Sequence, residues 1–106
     1  MINEEGEIET NIGKVRRLVL DVLKPLDPTI IELAKQLSVL PGVEAVNISI
    51  YEIDRRVENA KITIEGGDIL YESVLQTIQE SGGTMHSIDE VVAGKIIIED
   101  AATLQD

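Results

Sequence analysis

The order of the predicted elements constrains this chain most strongly, because a strand–helix–strand order occurs twice. A strand-like run, a helix-like run and a second strand-like run occupy Val15–Ile53, and the same order returns from Asn59 to Ile98. A β-α-β-β-α-β order is typical of the ferredoxin-like fold. We therefore predict an α+β sandwich with a four-stranded antiparallel sheet, two helices on one face and no helix on the other.

Runs of apolar residues with period two or without interruption predict the four strands: Val15–Leu23, Val43–Ile53, Asn59–Glu65 and Thr84–Val92. Lys24-Pro25 is expected to end the first strand, and Asp54–Glu58 is expected to form a charged hairpin loop. Ile96–Ile98 would extend the fourth strand beyond Gly94. In this fold the first and third strands are central, and the second and fourth strands are the edges.

Capping residues and apolar spacing predict the two helices. Asp27-Pro28 should open the first helix, since Asp can cap free amides and Pro suits the first helical position. Asp68 should cap the second helix, and Gly82-Gly83 should end it, with one glycine in the left-handed conformation. Helical spacing predicts two buried stripes: Ile30, Ile31, Ala34, Leu37 and Leu40 in the first helix, and Leu70 or Tyr71, Val74, Leu75 and Ile78 in the second. We expect Ile31, Ala34, Val74 and Ile78 to cover four buried residues of the sheet, which are Ile48, Ile50, Ile62 and Ile64.

The negative charge lies mostly at the two ends of the chain. The 106 residues suit one domain, and their formal net charge is −11. Residues 1–13 hold four acids and no base, and residues 99–106 hold three acids and no base. We therefore predict an acidic arm at 1–13, a domain at 14–98 and an acidic tail at 99–106. The body is mildly acidic without a basic stripe, which argues against nucleic acid as a partner.

Two absences from the sequence exclude further classes. The chain has no Cys, which excludes disulfides and thiolate metal sites and agrees with a reducing cytoplasm, the location that we expect. No apolar run approaches the roughly 20 residues of a membrane helix, so we expect no membrane contact.

Asp21 is the most unusual residue, because it lies inside the apolar run LVLDVL of a predicted central strand. A charge in such a place needs a partner. The structural interpretation is a pair with Lys61 on the neighbouring strand. The functional interpretation is a carboxylate ligand for calcium or magnesium, together with Asp89 or Glu90, because these cations prefer oxygen ligands.

Other polar residues of the helix-free face are candidates for binding a small ligand. They are Asn47, Ser49, Tyr51, Thr63, His86 and Ser87. His86 is the only histidine and cannot form a zinc cage without Cys, so we interpret it first as a strand residue whose ring has hydrogen-bond partners. The charges of the fourth strand would also discourage unwanted edge pairing, which is an alternative to a ligand rim.

Some functions of this fold can be excluded from the residues. Metallochaperone-type domains need a Cys pair, and RNA-recognition domains need several aromatic residues on the sheet, where only Tyr51 is available. Acylphosphatase-type enzymes use a glycine-rich loop after the first strand, and the loop here is Lys24-Pro25-Leu26-Asp27. Amino-acid-sensing regulatory domains stay open, because Leu40-Pro41-Gly42-Val43 is similar to their helix-to-strand turn.

From Val15 to Lys95 the chain resembles a small, chiefly archaeal family, domain of unknown function two-hundred-eleven. The stretches that carry the resemblance are VRRLVLDVLKP, IIELAKQL, GVEAVNISIYEID, KITIEG and HSIDEVVAGK. The resemblance implies a ferredoxin-like fold, oligomeric assembly and no established activity. It also implies calcium or another divalent cation as a ligand, without a motif that assigns the ligating residues. Both acidic ends fall outside the stretches that match.

The sequence leaves three functions open. The first is a non-enzymatic, self-assembling protein that binds a divalent cation or small ligand on the sheet face or between subunits. The second is a regulatory, partner-binding module of the amino-acid-sensing type. The third is a weak hydrolase or transferase using Asp21, His86 and Asp89. The second strand is a long edge without Lys or Pro, so we also expect it to pair with the fourth strand of another subunit in a closed ring of more than two subunits.

Overall fold

The computed structural model describes residues 13–98 and confirms the ferredoxin-like α+β fold. The elements follow in the predicted order: β1 (Val15–Pro25), α1 (Ile30–Ser38), β2 (Val43–Ile53), β3 (Val57–Gly66), α2 (Tyr71–Glu80) and β4 (Thr84–Ala93). Apart from Gly13, the predicted acidic arm and the predicted acidic tail lie outside the described residues. Neither described helix is long and apolar enough to cross a membrane.

The strands form one antiparallel sheet in the order β2-β3-β1-β4. As predicted, β1 and β3 are central, and β2 and β4 are the edges. Asp21 lies opposite Lys61 on β3 and opposite Ser87 on β4. Since β1 is paired on both sides, Asp21 occupies the middle of the sheet.

The core lies between the sheet and the two helices. Leu20, Val22, Ile62 and Ile64 are fully buried on the side of the sheet that the helices cover. Alternation along each strand sends their neighbours to the opposite side. The predicted inward positions of β3 are therefore confirmed. Ile48 and Ile50 of the edge strand pack against this core and are half-buried.

The rotation of α1 about its axis differs from the prediction. Leu33 and Leu37 are buried, whereas Ile31 is 67% exposed, so the expected packing of Ile31 on the sheet is wrong. The predicted cap at Asp27-Pro28 is also wrong, because the Thr29 hydroxyl caps the helix by accepting the Glu32 amide at 3.2 Å. The helix therefore begins two residues after Pro28, at Ile30.

In α2 the predicted stripe is confirmed at Val74 and Ile78, whereas Leu75 is only half-buried, and the predicted cap is wrong. Val74 and Ile78 are buried, and Tyr71 and not Leu70 continues the stripe. The helix begins at Tyr71 after Leu70, which makes no side-chain cap, so Asp68 does not cap it. Gly82 has φ +84° at the end of the helix, as predicted for one of the paired glycines.

An ion pair lies on the helix side of the sheet, at positions where the sequence predicted the end of a strand and a loop. β1 continues through Lys24, and β3 already begins at Val57, so Glu58 is a strand residue. Lys24 is 1% exposed and Glu58 7% exposed. The Lys24 Nζ donates to Glu58 Oε1 at 2.6 Å and to the Pro25 carbonyl at 2.7 Å. Each charge thus has a partner, which a buried charge requires.

The segment after β4 forms a turn and not the predicted strand extension. Gly94 has φ +135°, a conformation that favours glycine, and Ile96–Ile98 is not strand. The Gly94 amide donates to the Lys14 carbonyl at 2.9 Å. The segment therefore leaves the sheet edge beside the start of β1.

Candidate ligand site on the open sheet face

The side of the sheet without helices, called the open face below, carries at its centre a depression lined by residues with charged or hydroxyl groups. Its volume is about 310 Å³, and its lining residues come from all four strands: Asp21, Ser49, Tyr51, Lys61 and Asp89. This volume lies at the lower end of the range for small-molecule pockets, roughly 300–1,000 Å³. The depression therefore suits a ligand of the smallest class.

Irregularities in the two edge strands bring side chains into the depression. On β2, Ile50 faces Ala60 and Glu52 faces Asn59, so Tyr51 is an extra residue without a partner on β3. On β4, Glu90 faces Val19 and Ile88 faces Leu20, so Asp89 is likewise an extra residue. Bulges of this kind redirect a side chain and often lie next to functional sites. Both edges thus direct a polar side chain towards the central Asp21.

Tyr51 is the partner of Asp21. Its hydroxyl reaches across β3 and donates to Asp21 Oδ1 at 2.5 Å. The hydrogen bond to Asp21, followed by partial desolvation and the negative charge of Asp21, raises the pKa of the Tyr51 hydroxyl. The tyrosine therefore stays protonated as a donor at neutral pH, and the second oxygen of Asp21 is available to a ligand.

The structural interpretation of Asp21 as an ion-pair partner of Lys61 is wrong. The two residues face each other in the sheet register, yet no ion pair joins them in the described part of the chain. Lys61 is exposed and lines the depression on the same side as Asp21. The site therefore offers both a carboxylate and an ammonium group to the solvent.

The three carboxylates predicted to hold a metal ion have different partners. Asp21 and Asp89 line the same depression, and Asp89 Oδ1 accepts from the Ser87 hydroxyl at 2.6 Å. Glu90 instead accepts from Arg17 at 3.0 Å. Among residues 13–98 no three His, Cys, Asp or Glu side chains form a group that could hold a metal ion. Any cation would thus meet at most two of these carboxylates from one subunit.

Arg17 bounds the open face at the end where β1 begins and β4 ends. Its guanidinium bridges Glu65 of β3 at 2.7 Å and Glu90 of β4 at 3.0 Å, and it also donates to the Ile98 carbonyl at 3.4 Å. The hydrogen bonds that Arg17 donates to Glu65 and then to Glu90 raise the pKa of the guanidinium. This network connects three adjacent strands. Arg17 is therefore engaged by two carboxylates, unlike Lys61, the other cation of the open face.

The remaining predicted ligand residues lie away from the central depression. Asn47 and Thr63 line a second depression of about 370 Å³ with Ala45, Val46 and Glu65. Asn47 Oδ1 accepts from the Ser49 hydroxyl at 3.3 Å, which connects the two depressions. His86 is exposed and lines neither.

Lys61 is the lining residue that the sequence did not identify as part of a site. Its outward position on the third strand was readable from the alternation with Ile62 and Ile64. Because we expected Lys61 to pair with Asp21, the sequence did not indicate that its ammonium group could contact a ligand. Only the Tyr51–Asp21 hydrogen bond shows that Lys61 is not required there.

Comparison with known proteins supports the resemblance noted in the sequence. The model of the family DUF211, described as uncharacterized ArCR, matches residues 16–106. The match includes the C-terminal segment, which the quoted stretches had left outside. A similar relative is "Uncharacterized protein MJ0319" of the archaeon Methanocaldococcus jannaschii, 51% identical over 92 residues, which are 87% of this chain and 95% of the relative.

Proposed function

The chain belongs to the archaeal DUF211 family, and we propose that it is a non-enzymatic, self-assembling protein that binds a small ligand with a positively charged group on its open face. The positively charged group is a divalent cation or an amine. The proposal includes a cytoplasmic location, because the chain has no Cys for an oxidising compartment to pair.

The observation that supports binding is the convergence of two carboxylates and two hydroxyls on one depression. Asp21 and Asp89 supply the negative charge, and Ser49 and Tyr51 supply the hydroxyls. Carboxylates that are already positioned by hydrogen bonds lose little freedom on binding, which favours affinity. Tyr51 and Ser87 fix one oxygen of Asp21 and of Asp89, respectively.

Calcium and magnesium remain candidates for the ligand. Both prefer oxygen ligands, and calcium takes about six to eight of them. A single subunit would supply part of this shell through Asp21 and Asp89, with water or a second subunit completing it. The ammonium group of Lys61 in the same depression opposes a bare cation and favours a ligand that also tolerates a positive neighbour.

A catalytic role has less support than a binding role. The proposed catalytic set included His86, and this residue is exposed and outside the depression that holds Asp21 and Asp89. General acid–base chemistry needs the participating groups within hydrogen-bond reach of one reacting atom. We therefore favour binding, with regulation of a partner as its downstream use.

Self-assembly is supported by the apolar residues on the two sheet edges. Tyr51 and Ile53 of β2 are 56% and 62% exposed, and Ile88 and Val91 of β4 are 47% and 52% exposed. Unpaired edges with apolar residues recruit further strands. Pairing β2 of one subunit with β4 of the next is a heterologous contact, which closes into a ring when the rotation permits. We propose a closed ring of more than two subunits.

Tyr51 provides a direct test of binding, because the chain has two tyrosines and no tryptophan. In a Tyr71→Phe background the remaining fluorescence reports on the depression. We expect calcium chloride, magnesium chloride or methylamine to change this fluorescence and to raise the melting temperature by mass action. Asp21→Asn should abolish both effects, and Asp68→Asn, an exposed Asp outside the depression, should preserve them. No change with any of the three probes at millimolar concentration would refute binding of a simple cation or amine on the open face.

Assembly is tested by sedimentation at micromolar concentration. We expect the wild-type chain to sediment as a species larger than a dimer. The double variant Ile88→Lys and Val91→Lys should sediment as a monomer, because charges on β4 oppose edge pairing. Val39→Lys is a matched control, since Val39 is 80% exposed just after α1 and away from both edges. A monomeric wild-type chain would refute the ring.

A further inference from the structure

The charges in the central depression are mixed, and this mixture narrows the class of ligand. Asp21 and Asp89 are negative, Lys61 is positive, and Ser49 and Tyr51 are neutral hydroxyls. A ligand with a positive group alone would be attracted by the carboxylates and repelled by Lys61. A ligand with a negative group alone would be attracted by Lys61 and repelled by the carboxylates.

Lys61 is available to a ligand because Asp21, the residue opposite it, accepts a hydrogen bond from Tyr51 instead. Asp21 faces Lys61 across the strands, a register in which opposite charges can form a cross-strand ion pair. The Asp21 carboxylate nevertheless takes the Tyr51 hydroxyl at 2.5 Å and makes no ion pair with Lys61. The bulge that leaves Tyr51 without a partner on β3 makes this arrangement possible.

The other cation of the open face differs from Lys61 in this respect. Arg17 is held by Glu65 and Glu90, both within 3.0 Å. Lys61 has no ion-pair partner in the described part of the chain, although two carboxylates share its depression. The arrangement thus separates an anion-binding group from cation-binding groups inside one small volume.

We propose that the ligand is a small zwitterion of the free α-amino acid class. Its ammonium group is received by Asp21 and Asp89, and its carboxylate is received by Lys61. The volume of about 310 Å³ accommodates a ligand of this size with bound water. This inference rests on the proposed function and adds to it the requirement for a carboxylate on the ligand.

The test compares ligands from which one charge at a time has been removed. The free L-amino acids are screened individually at millimolar concentration by the fluorescence of Tyr51 in the Tyr71→Phe chain, and the fluorescent Trp, Tyr and Phe are screened by the melting temperature instead. The amino acid with the largest response is then compared with its amide, which lacks the carboxylate, and with its N-acetyl derivative, which lacks the ammonium group. Calorimetry gives the affinities. We expect each derivative to bind roughly tenfold or more weakly, as is usual for the loss of a charged hydrogen bond.

Variants of Lys61 test whether this residue binds the carboxylate of the ligand. Lys61→Met should lower the affinity for the amino acid, which loses the partner of its carboxylate, and raise the affinity for the amide, whose ammonium group is no longer repelled by Lys61. A merely structural role of Lys61 would weaken both ligands equally. Lys35→Met is the control, because Lys35 is an exposed residue of α1.

The outcomes distinguish this inference from the proposed function. If calcium, magnesium or methylamine binds through Asp21 and no amino acid does, the proposed function stands and the zwitterion is refuted. Equal affinity for an amino acid and its amide would likewise refute the role of Lys61. If none of these probes binds, both proposals are refuted.

Discussion

The two faces of the same sheet use charge in opposite ways. On the helix side, Lys24 and Glu58 are buried and paired with each other at 2.6 Å. On the open face, Asp21 and Lys61 face each other and are not paired. Burial demands that a charge be neutralised by its own chain, because no water is available. Exposure removes that demand, so the open face can keep opposite charges for a ligand.

The largest expected effect tests the buried pair. Glu58→Ala leaves the Lys24 ammonium buried without its carboxylate, and we expect a loss of about 3–5 kcal/mol in the free energy of unfolding. Glu52→Ala, an exposed substitution on β2, should change it by less than about 0.5 kcal/mol. Urea denaturation at neutral pH measures both. A small effect of Glu58→Ala would mean that Lys24 reaches water, and the contrast between the faces would be lost.

A second prediction compares neighbouring residues of β3. Ile62→Ala should destabilise by about 2–5 kcal/mol, because the fully buried side chain leaves a cavity beneath the helices. Thr63→Ala, one residue further and on the open face, should stay within about 0.5 kcal/mol. Chemical denaturation of both variants gives the difference. Equal losses would show that the open face is as tightly packed as the core.

The smallest expected effect concerns the ionisation of Tyr51. The Asp21 hydrogen bond raises the pKa of Tyr51 in the folded chain, so this bond stabilises the fold below the unfolded tyrosine pKa of roughly 10. That contribution is lost as the pH rises through the folded pKa. Ultraviolet titration of the Tyr71→Phe chain should give a higher pKa than that of the Tyr71→Phe, Asp21→Asn double variant. An unchanged pKa in the double variant would mean that Asp21 does not hold the hydroxyl in solution.

The sequence predicted those features that alternate or repeat locally. Ile62 and Ile64 face the core and Lys61 faces outward, because the period of two along β3 has a single interpretation. The rotation of α1 was not determined in the same way, since Ile30, Ile31, Leu33 and Ala34 permit two apolar stripes. Contact with the sheet selects the stripe that contains Leu33, and Ile31 is left in solvent.

The site required information that no local pattern contains. Asp21 was identified because a charge interrupts an apolar run, and its partner was misassigned because regular pairing places Lys61 opposite. Tyr51 replaces Lys61 as partner only through the bulge in β2, and bulges leave no period in the sequence. Lys24 and Glu58 were predicted at a strand end and in a loop, because a charged residue at either position does not by itself indicate burial. The burial of each residue is explained by its ion pair with the other, and the sequence alone does not show that the two are neighbours.

The close approach of the two ends of the domain has a consequence for how the chain can be rearranged. The Gly94 amide bonds to the Lys14 carbonyl at 2.9 Å, so β1 begins where β4 ends. A few linking residues could join these points, and new termini could open at the exposed turn around Arg55 between β2 and β3. Such a circularly permuted chain would retain every strand pairing while placing its free ends at the opposite pole of the sheet. The strand pairings of this fold therefore do not depend on β1 being the first strand of the chain.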